Sequence, residues 1–235
     1  MSWKVLPHGS IEKLDDELWR VEGNLPRGPM PRSMVLVRLP DRRLVIYSAM
    51  ALDDAAMAEI EAWGTPAIVV VPNNRHRMDP AKYRERYPGV RVIAPAGART
   101  KIEEVVPVDA TEIDLGPTVA VRSVGGTRDG ELWLEVRHGT QTTVVVGDFI
   151  MNLRPLRGFG GWIMNRMGFT GPAPKVTKPS QMVLVKDRDA GVAQLEAMAA
   201  LPGLTRVLVG HGAPITGDVP AQLRDVATRL RGGAT

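Results

Sequence analysis

The chain reads as one α/β domain, and three observations predict it. Short runs of apolar residues, AIVVV at 67–71, TTVVV at 142–146 and RVLV at 206–209, have the pattern of strands buried on both faces. Residues 42–97 alternate strand, helix and strand with short loops, as in the right-handed crossovers that extend a parallel sheet. From residue 105 the texture changes to strands separated by Gly-rich turns. With 235 residues, 44% of them hydrophobic, and no linker-like stretch, a single domain over 1–235 can bury its own core.

Taken in order, LWRVEG (18–23) and SMVLVRLP (33–40) alternate apolar and polar residues as half-buried strands do, and RRLVIYSA (42–49) is a third strand. LDDAAMAEIEAWG (52–64) has apolar residues at helical spacing, Asp53 or Asp54 as its cap and Gly64 as its stop. AIVVV follows as a buried strand. A helix is predicted from Asp79-Pro80 through AKYRERYPG, and VRVIAPAG (90–97) is the next strand. VVPVDATEIDLGPTVAVRSVGG (105–126) and ELWLEVRHGTQTTVVVGD (131–148) read as meander strands, with His138-Gly139-Thr140 as a hairpin turn. Residues 152–180 are rich in Gly and Pro and form a loop or excursion with room for one short helix. QMVLVKD (181–187) is a strand candidate, DAGVAQLEAMAALPG (189–203) a helix, TRVLVG (205–210) a buried strand, and DVPAQLRDVATRLRG (218–232) a helix with its own Asp cap.

Composition narrows the chemistry. With no Cys, disulfides and thiolate metal sites are excluded, so any metal must sit on His and carboxylates. The net charge of +4 comes largely from scattered Arg, which implies no specific nucleic-acid partner. No long apolar run follows the N-terminus, so neither a secretory signal nor a membrane span is expected, and a cytoplasmic location is the default.

Three Val-rich strands stop in polar residues: VVVPNNRH, TTVVVGDF and RVLVGHGAP. Strands of an open α/β sheet release their carboxyl ends into the crevice where ligands bind, so His76, Asp148 and His211 can meet although far apart in sequence. No nucleophile elbow of the Gly-x-Ser-x-Gly type and no phosphate-cradling loop competes with them.

From Leu18 to the end, the order of elements and these motifs resemble the metallo-β-lactamase fold superfamily. VVVGDF is similar to its bridging-Asp motif at Asp148, and VLVGHGAP to its last metal-binding His at His211. VVVPNNRHRMDP takes the place of its H-x-H-x-D-H loop, with Asn74 at the first His, His76 kept, and Met78 and Asp79 at the Asp and His; Gly126 in VRSVGGTRDG stands where a later His belongs. The resemblance implies a four-layer αββα sandwich and metal-assisted hydrolysis of a small-molecule substrate by a reduced, ligand-depleted site. Its expected ligands are His76, Asp79, Asp148 and His211 around one divalent ion (zinc, manganese or iron), with Asp148 also orienting the attacking water. The alternative is a scaffold without metal that binds a ligand or protein partner through the old cleft or the excursion.

Several residues also have plainer readings. Asp79 before Pro80 is a standard helix cap, and His76 can be a rim histidine bonded to backbone. Arg75 and Arg77 fit a solvated face; facing the cleft, the pair would favour an anionic substrate and disfavour a dication by charge repulsion, and Asn74, Arg75 and Trp162 are the candidate substrate-binding residues. His138 is expected at a solvated turn, and His8 has no assigned role. In the excursion, Phe159, Trp162, Met164, Met167 and Phe169 fit a lid over the cleft or the interface of a homodimer. A membrane-surface role fits less well, because Gly interrupts helical amphipathicity.

Overall fold

Alternating hydrophobicity in the first third becomes a six-stranded sheet: β1 (Glu12–Asp15), β2 (Leu18–Asn24), β3 (Pro31–Arg38), β4 (Arg43–Tyr47), β5 (Thr65–Val70) and β6 (Arg91–Ile93), adjacent in that order. The structure, a computed structural model, describes residues 2–232; residues 1 and 233–235, the ends of the expected domain, lie outside the described residues. Strands β1 to β4 run antiparallel, whereas β4, β5 and β6 run parallel, connected by α1 (Asp54–Trp63) and α2 (Pro80–Arg86). This is the crossover arrangement expected from residues 42–97. A short helix, α3 (Arg99–Glu103), follows β6.

The second sheet contains β7 (Val119–Ser123), β8 (Leu132–His138), β9 (Gln141–Val146) and β10 (Leu204–Val209), in the order β10-β9-β8-β7. The predicted hairpin turn joins β8 to β9 at Gly139-Thr140, while β10 pairs parallel to β9. Between β9 and β10 come α4 (Gly158–Arg166), α5 (Lys178–Val183) and α6 (Arg188–Ala199); α7 (Val219–Arg231) ends the described chain.

Side-chain parity sorts these elements into four layers. Val45, Tyr47, Ile68 and Val70 from the first sheet meet Leu134, Val145 and Leu208 from the second in a central apolar layer. Their neighbours in sequence, Leu44, Ile46 and Val69, pack on the opposite face with Met57, Ile60 and Tyr83 of α1 and α2. Val144, Val146, Val207 and Val209 likewise pack with Leu195 and Leu223 of α6 and α7. A strand caught between a helical layer and another sheet buries both of its faces, which is why these segments are continuously apolar. The result is the αββα sandwich.

Several expectations change. QMVLVKD does not form a strand: its first three residues finish α5, and only Val185 makes an isolated bridge, to Thr127. Thr177 accepts from the Ser180 N–H and Pro179 occupies the first turn, so helix-starting chemistry wins over β-branched composition. The excursion holds one helix and the start of a second. Strand β1 lies in a segment without a predicted element. Asp79 stands at the start of α2, but its side chain makes no capping bond.

Candidate metal centre

Four parallel-paired strands release their carboxyl ends toward one rim. β4 is followed by Ser48, β5 leads through Asn73 to His76, β9 to Asp148 and β10 to His211. The ends of β9 and β10 approach closely, with Gly210 N–H donating to the Gly147 carbonyl at 3.1 Å. A Cβ on Gly210 would lie 2.8 Å from that oxygen, so the turn before His211 requires glycine, and one on Gly147 would crowd Pro72 and Glu131 at 3.1 to 3.3 Å.

Asp148 Oδ1 sits 3.1 Å from His76 Nε2 and 3.0 Å from His211 Nε2. The three donor atoms lie within 4.8 Å of one another. All three side chains are at least nine-tenths buried. Each imidazole is fixed from behind: His76 Nδ1 meets Ser48 Oγ at 2.7 Å, and His211 Nδ1 meets the Pro31 carbonyl at 2.6 Å. Ser48 is a buried non-glycine residue at φ 57°, a strained conformation of the kind that gathers at functional sites. Asn73 Nδ2 donates to Asp148 Oδ2 at 3.2 Å and to Glu131 Oε2 at 2.9 Å. The Glu131 carboxylate also accepts from the backbone N–H groups of Gly147, Asp148 and Phe149.

The charges follow from this geometry. Burial works against ionisation of Asp148, but His76 and His211 outweigh it and hold the carboxyl well below the usual carboxylate range. For Glu131 the balance runs the other way: burial, then the charge of Asp148, outweighs the backbone N–H groups of Asp148 and Phe149 and the nearby His76, and pushes it up to about 7. For His211, burial disfavours the imidazolium, yet the hydrogen bond and charge of Asp148 raise its pKa.

A metal fits this donor set. The Pro31 carbonyl can only accept, so His211 Nδ1 carries a proton, and what lies between Nε2 and Asp148 Oδ1 is either a second proton, giving imidazolium, or a metal cation. Without a cation the second proton holds the pair together, and a metal ion would take its place. Two imidazole nitrogens and one carboxylate oxygen, with the second ring nitrogens already bonded, suit a divalent transition ion.

Of the other residues singled out in the sequence, Asp79 lies outside this cluster. Its buried carboxylate is ion-paired with Arg32 at 2.7 Å and Lys82 at 2.5 Å, which corrects both the capping and the ligand expectation. Asn74 donates to Asp129 instead, and its neighbour Asn73 supplies the buried amide at the centre. Arg75 lines the cavity over the cluster; Trp162 does not, being 61% exposed and stacked on Phe159. Gly126 cannot be replaced by a ligand, because at φ 77° a Cβ there would lie 2.3 Å from the Asp187 carbonyl. His138 stands at its turn, bonded to Glu17, and His8 bonds to the backbone of Gly9 and Asp53.

Sequence reasoning passed over Ser48, Asn73 and Glu131. The strand-end rule that marks His76 and His211 would have marked Ser48 as well. Nothing local marks Glu131, whose partners come from the loops after β9 and after β5.

The fold is the metallo-β-lactamase fold. A metallo-β-lactamase from Erythrobacter litoralis, with β-mercaptoethanol in its active site, superposes over 96% of this chain and 100% of its own, with a TM-score of 0.64 and 16% identity. The DIM-1 metallo-β-lactamase matches over 96% and 99%, with a TM-score of 0.64 and 13% identity. The mono-zinc form of FIM-1 from Pseudomonas aeruginosa matches over 97% and 98%, with a TM-score of 0.62 and 12% identity. No family model matches the sequence, and no curated protein matches it. At such identities the likeness defines the fold, and function has to be read from the site itself.

Proposed function

We propose that the protein is a metal-dependent hydrolase of a small, largely apolar substrate, with one divalent ion held by His76, Asp148 and His211. The observation that carries this reading is the convergence of three buried donors from three strand ends, both imidazoles held from behind. Such an ion supplies Lewis acidity, activating water and polarising a carbonyl or phosphoryl oxygen.

The chain's own residues supply the rest. His211 keeps its Nδ1 proton on the Pro31 carbonyl, leaving Nε2 free for coordination. Asp148 stays ionised, so it presents a charged oxygen between the two rings while Asn73 steadies its other oxygen. A cavity of about 290 Å³ opens over the cluster, with walls that include Leu25, Met30, Met151, Phe169 and Leu184. These walls select apolar substrate groups and limit water beside the reacting atoms. At the rim, Arg75 has a side chain without a partner among the described residues, which fits an anionic group on the substrate.

Elemental analysis after mild loading with zinc, manganese or iron tests the reading. The parent protein is expected to retain close to one equivalent, and His211→Ala and Asp148→Ala to lose it. Asp79→Asn, outside the cluster, keeps it. Hydrolysis of a panel of aryl esters, lactones and phosphodiesters should disappear with chelator and return with metal. A metal-free parent would leave the cleft as a binding scaffold, and unchanged metal in both variants would place the centre elsewhere.

A further inference from the structure

We propose that the face built by α4 and α5 is a docking surface for an anionic lipid membrane, lying beside the mouth of the cavity. Eight large apolar side chains are exposed among the described residues, and six of them are here: Phe159, Trp162, Ile163, Met167, Met182 and Val183. Phe159 and Met182 are each 78% exposed. Scattered singly such residues are ordinary, but a cluster of this kind marks an interaction site.

Helix geometry makes four of these a face, and Gly168, just after α4, packs against Lys178 at the start of α5, which brings the two helices together. Residues 159, 162, 163 and 167 follow the spacing of one helical stripe along α4 and its cap. The three glycines of α4 do not break it, contrary to the expectation from sequence. Val183 of α5 also lines the cavity, as does the nearby Phe169, so the apolar face continues into the pocket wall.

Charge identifies the occupant. From Phe149 to Lys186 there is no Asp or Glu, while Arg154, Arg157, Arg166, Lys175, Lys178 and Lys186 all fall within the segment. Arg157 and Arg166 flank α4 and are exposed. No acid partners either of them among the described residues. Gly160 packs against Pro29, bringing in the loop that carries Arg27. Lys175 has its pKa lowered chiefly by burial, and the neighbouring Lys178 and Arg229 add to the shift.

A second copy of the chain is a poorer occupant for this face. A two-fold interface would set these cations against their own copies with no acid to receive them, and like charges across an interface disfavour association. Anionic headgroups complement the cations, while exposed Trp, Phe and Met side chains enter the boundary between headgroups and acyl chains. The proposal does not depend on the ion at the centre.

Co-sedimentation of the full chain with vesicles tests it. One set is phosphatidylcholine alone; the other contains about one-third phosphatidylglycerol. Binding is expected on the anionic vesicles, weaker on the neutral ones, and reduced by salt. The pair Phe159→Ser with Trp162→Ser should weaken it by about tenfold or more, as should the pair Arg157→Glu with Arg166→Glu. The charge-reversed pair alters only exposed, unpaired side chains, so it carries the test should the apolar pair not fold. No binding to anionic vesicles, or equal binding by the charge-reversed protein, would overturn the proposal. So would a dimer in lipid-free sedimentation velocity that Trp162→Glu dissociates, since it would assign this face to a second copy.

Discussion

At Glu131, four N–H groups converge on one carboxylate. Gly147 and Phe149 donate to Oε1, and Asp148 and Asn73 to Oε2, at 2.9 to 3.1 Å. Both oxygens must accept, so Glu131→Gln would turn an amide N–H₂ toward another donor. The expected cost is about 2–3 kcal/mol, read as a lower urea midpoint at unchanged m-value, with weaker metal retention because Asp148 loses its support. A second residue gives a pH-dependent effect far from the centre. His138 Nδ1 bonds to Glu17 Oε2 at 2.6 Å, tying the β8–β9 turn to the start of β2. That bond raises the His138 pKa above its ordinary 6.5, with burial opposing slightly and Glu17, Asp15 and Asp16 adding their charge. Because the folded value exceeds the unfolded one, the stabilisation is complete below 6.5 and is lost as pH rises through the folded value. The pair is solvent-screened, so His138→Gln should cost no more than about 0.5 kcal/mol in acid and nothing in alkali. NMR titration of the imidazole should find its midpoint above 6.5.

At the scale of elements, the turn before β8 and the start of α6 form one unit. Lys186 N–H and Asp187 N–H both donate to the Gly126 carbonyl, while the Asp187 side chain caps α6 by accepting from Ala190 N–H at 3.0 Å. Gly126→Ala forces a Cβ into the Asp187 carbonyl at a positive φ, so a loss of about 3 kcal/mol or more is expected in equilibrium unfolding. Asp187→Ala, which removes only the cap, should cost about 1 kcal/mol. The contrast also bears on which positions can carry a ligand. Asp148 and His211 stand where glycines let two strand ends meet, whereas position 126, where the resemblance would put a further histidine, is packed against the backbone of another element.

Across the whole molecule, the centre takes residues from both sheets, so the joint between them governs it. Tyr47 O–H donates across the central layer to the Leu132 carbonyl at 2.7 Å. The buried Arg20 bonds to Glu12, Glu22 and Ser33 on the first sheet, and to the Gly212 carbonyl beside His211 at 3.0 Å. Arg20→Met removes that link and leaves buried acceptors without their donor. About 3 kcal/mol of stability should go with it, and about tenfold in metal affinity, because the His211 turn loses its tether. Competition with a chromophoric chelator reads the second effect. Unchanged affinity in a folded Arg20→Met protein would show that the turn holds its shape without the first sheet.

Most of the strand and helix order, the crossover from β4 to β6 and the capacity of His76, Asp148 and His211 to meet were legible in the chain, while the four-layer stacking was implied only by the family resemblance. Each legible feature depends on a local pattern: alternation, continuous apolar runs, Asp caps, or a polar residue at the end of a buried strand. α5 was not legible, since MVLV favours a strand by composition and only the Thr177 cap and Pro179 turn it into a helix. Neither was the choice between Asn73 and Asn74, because adjacent side chains leave a chain end in different directions and a repeated Asn gives no clue to which one faces in. Asp79 had two local explanations, cap and ligand, and packing chose a third when Arg32 arrived from β3. Local pattern therefore determined which residues stand at the rim. Only the tertiary structure decided which of them touch, because those contacts arise from the stacking of two sheets whose strands are distant in the chain.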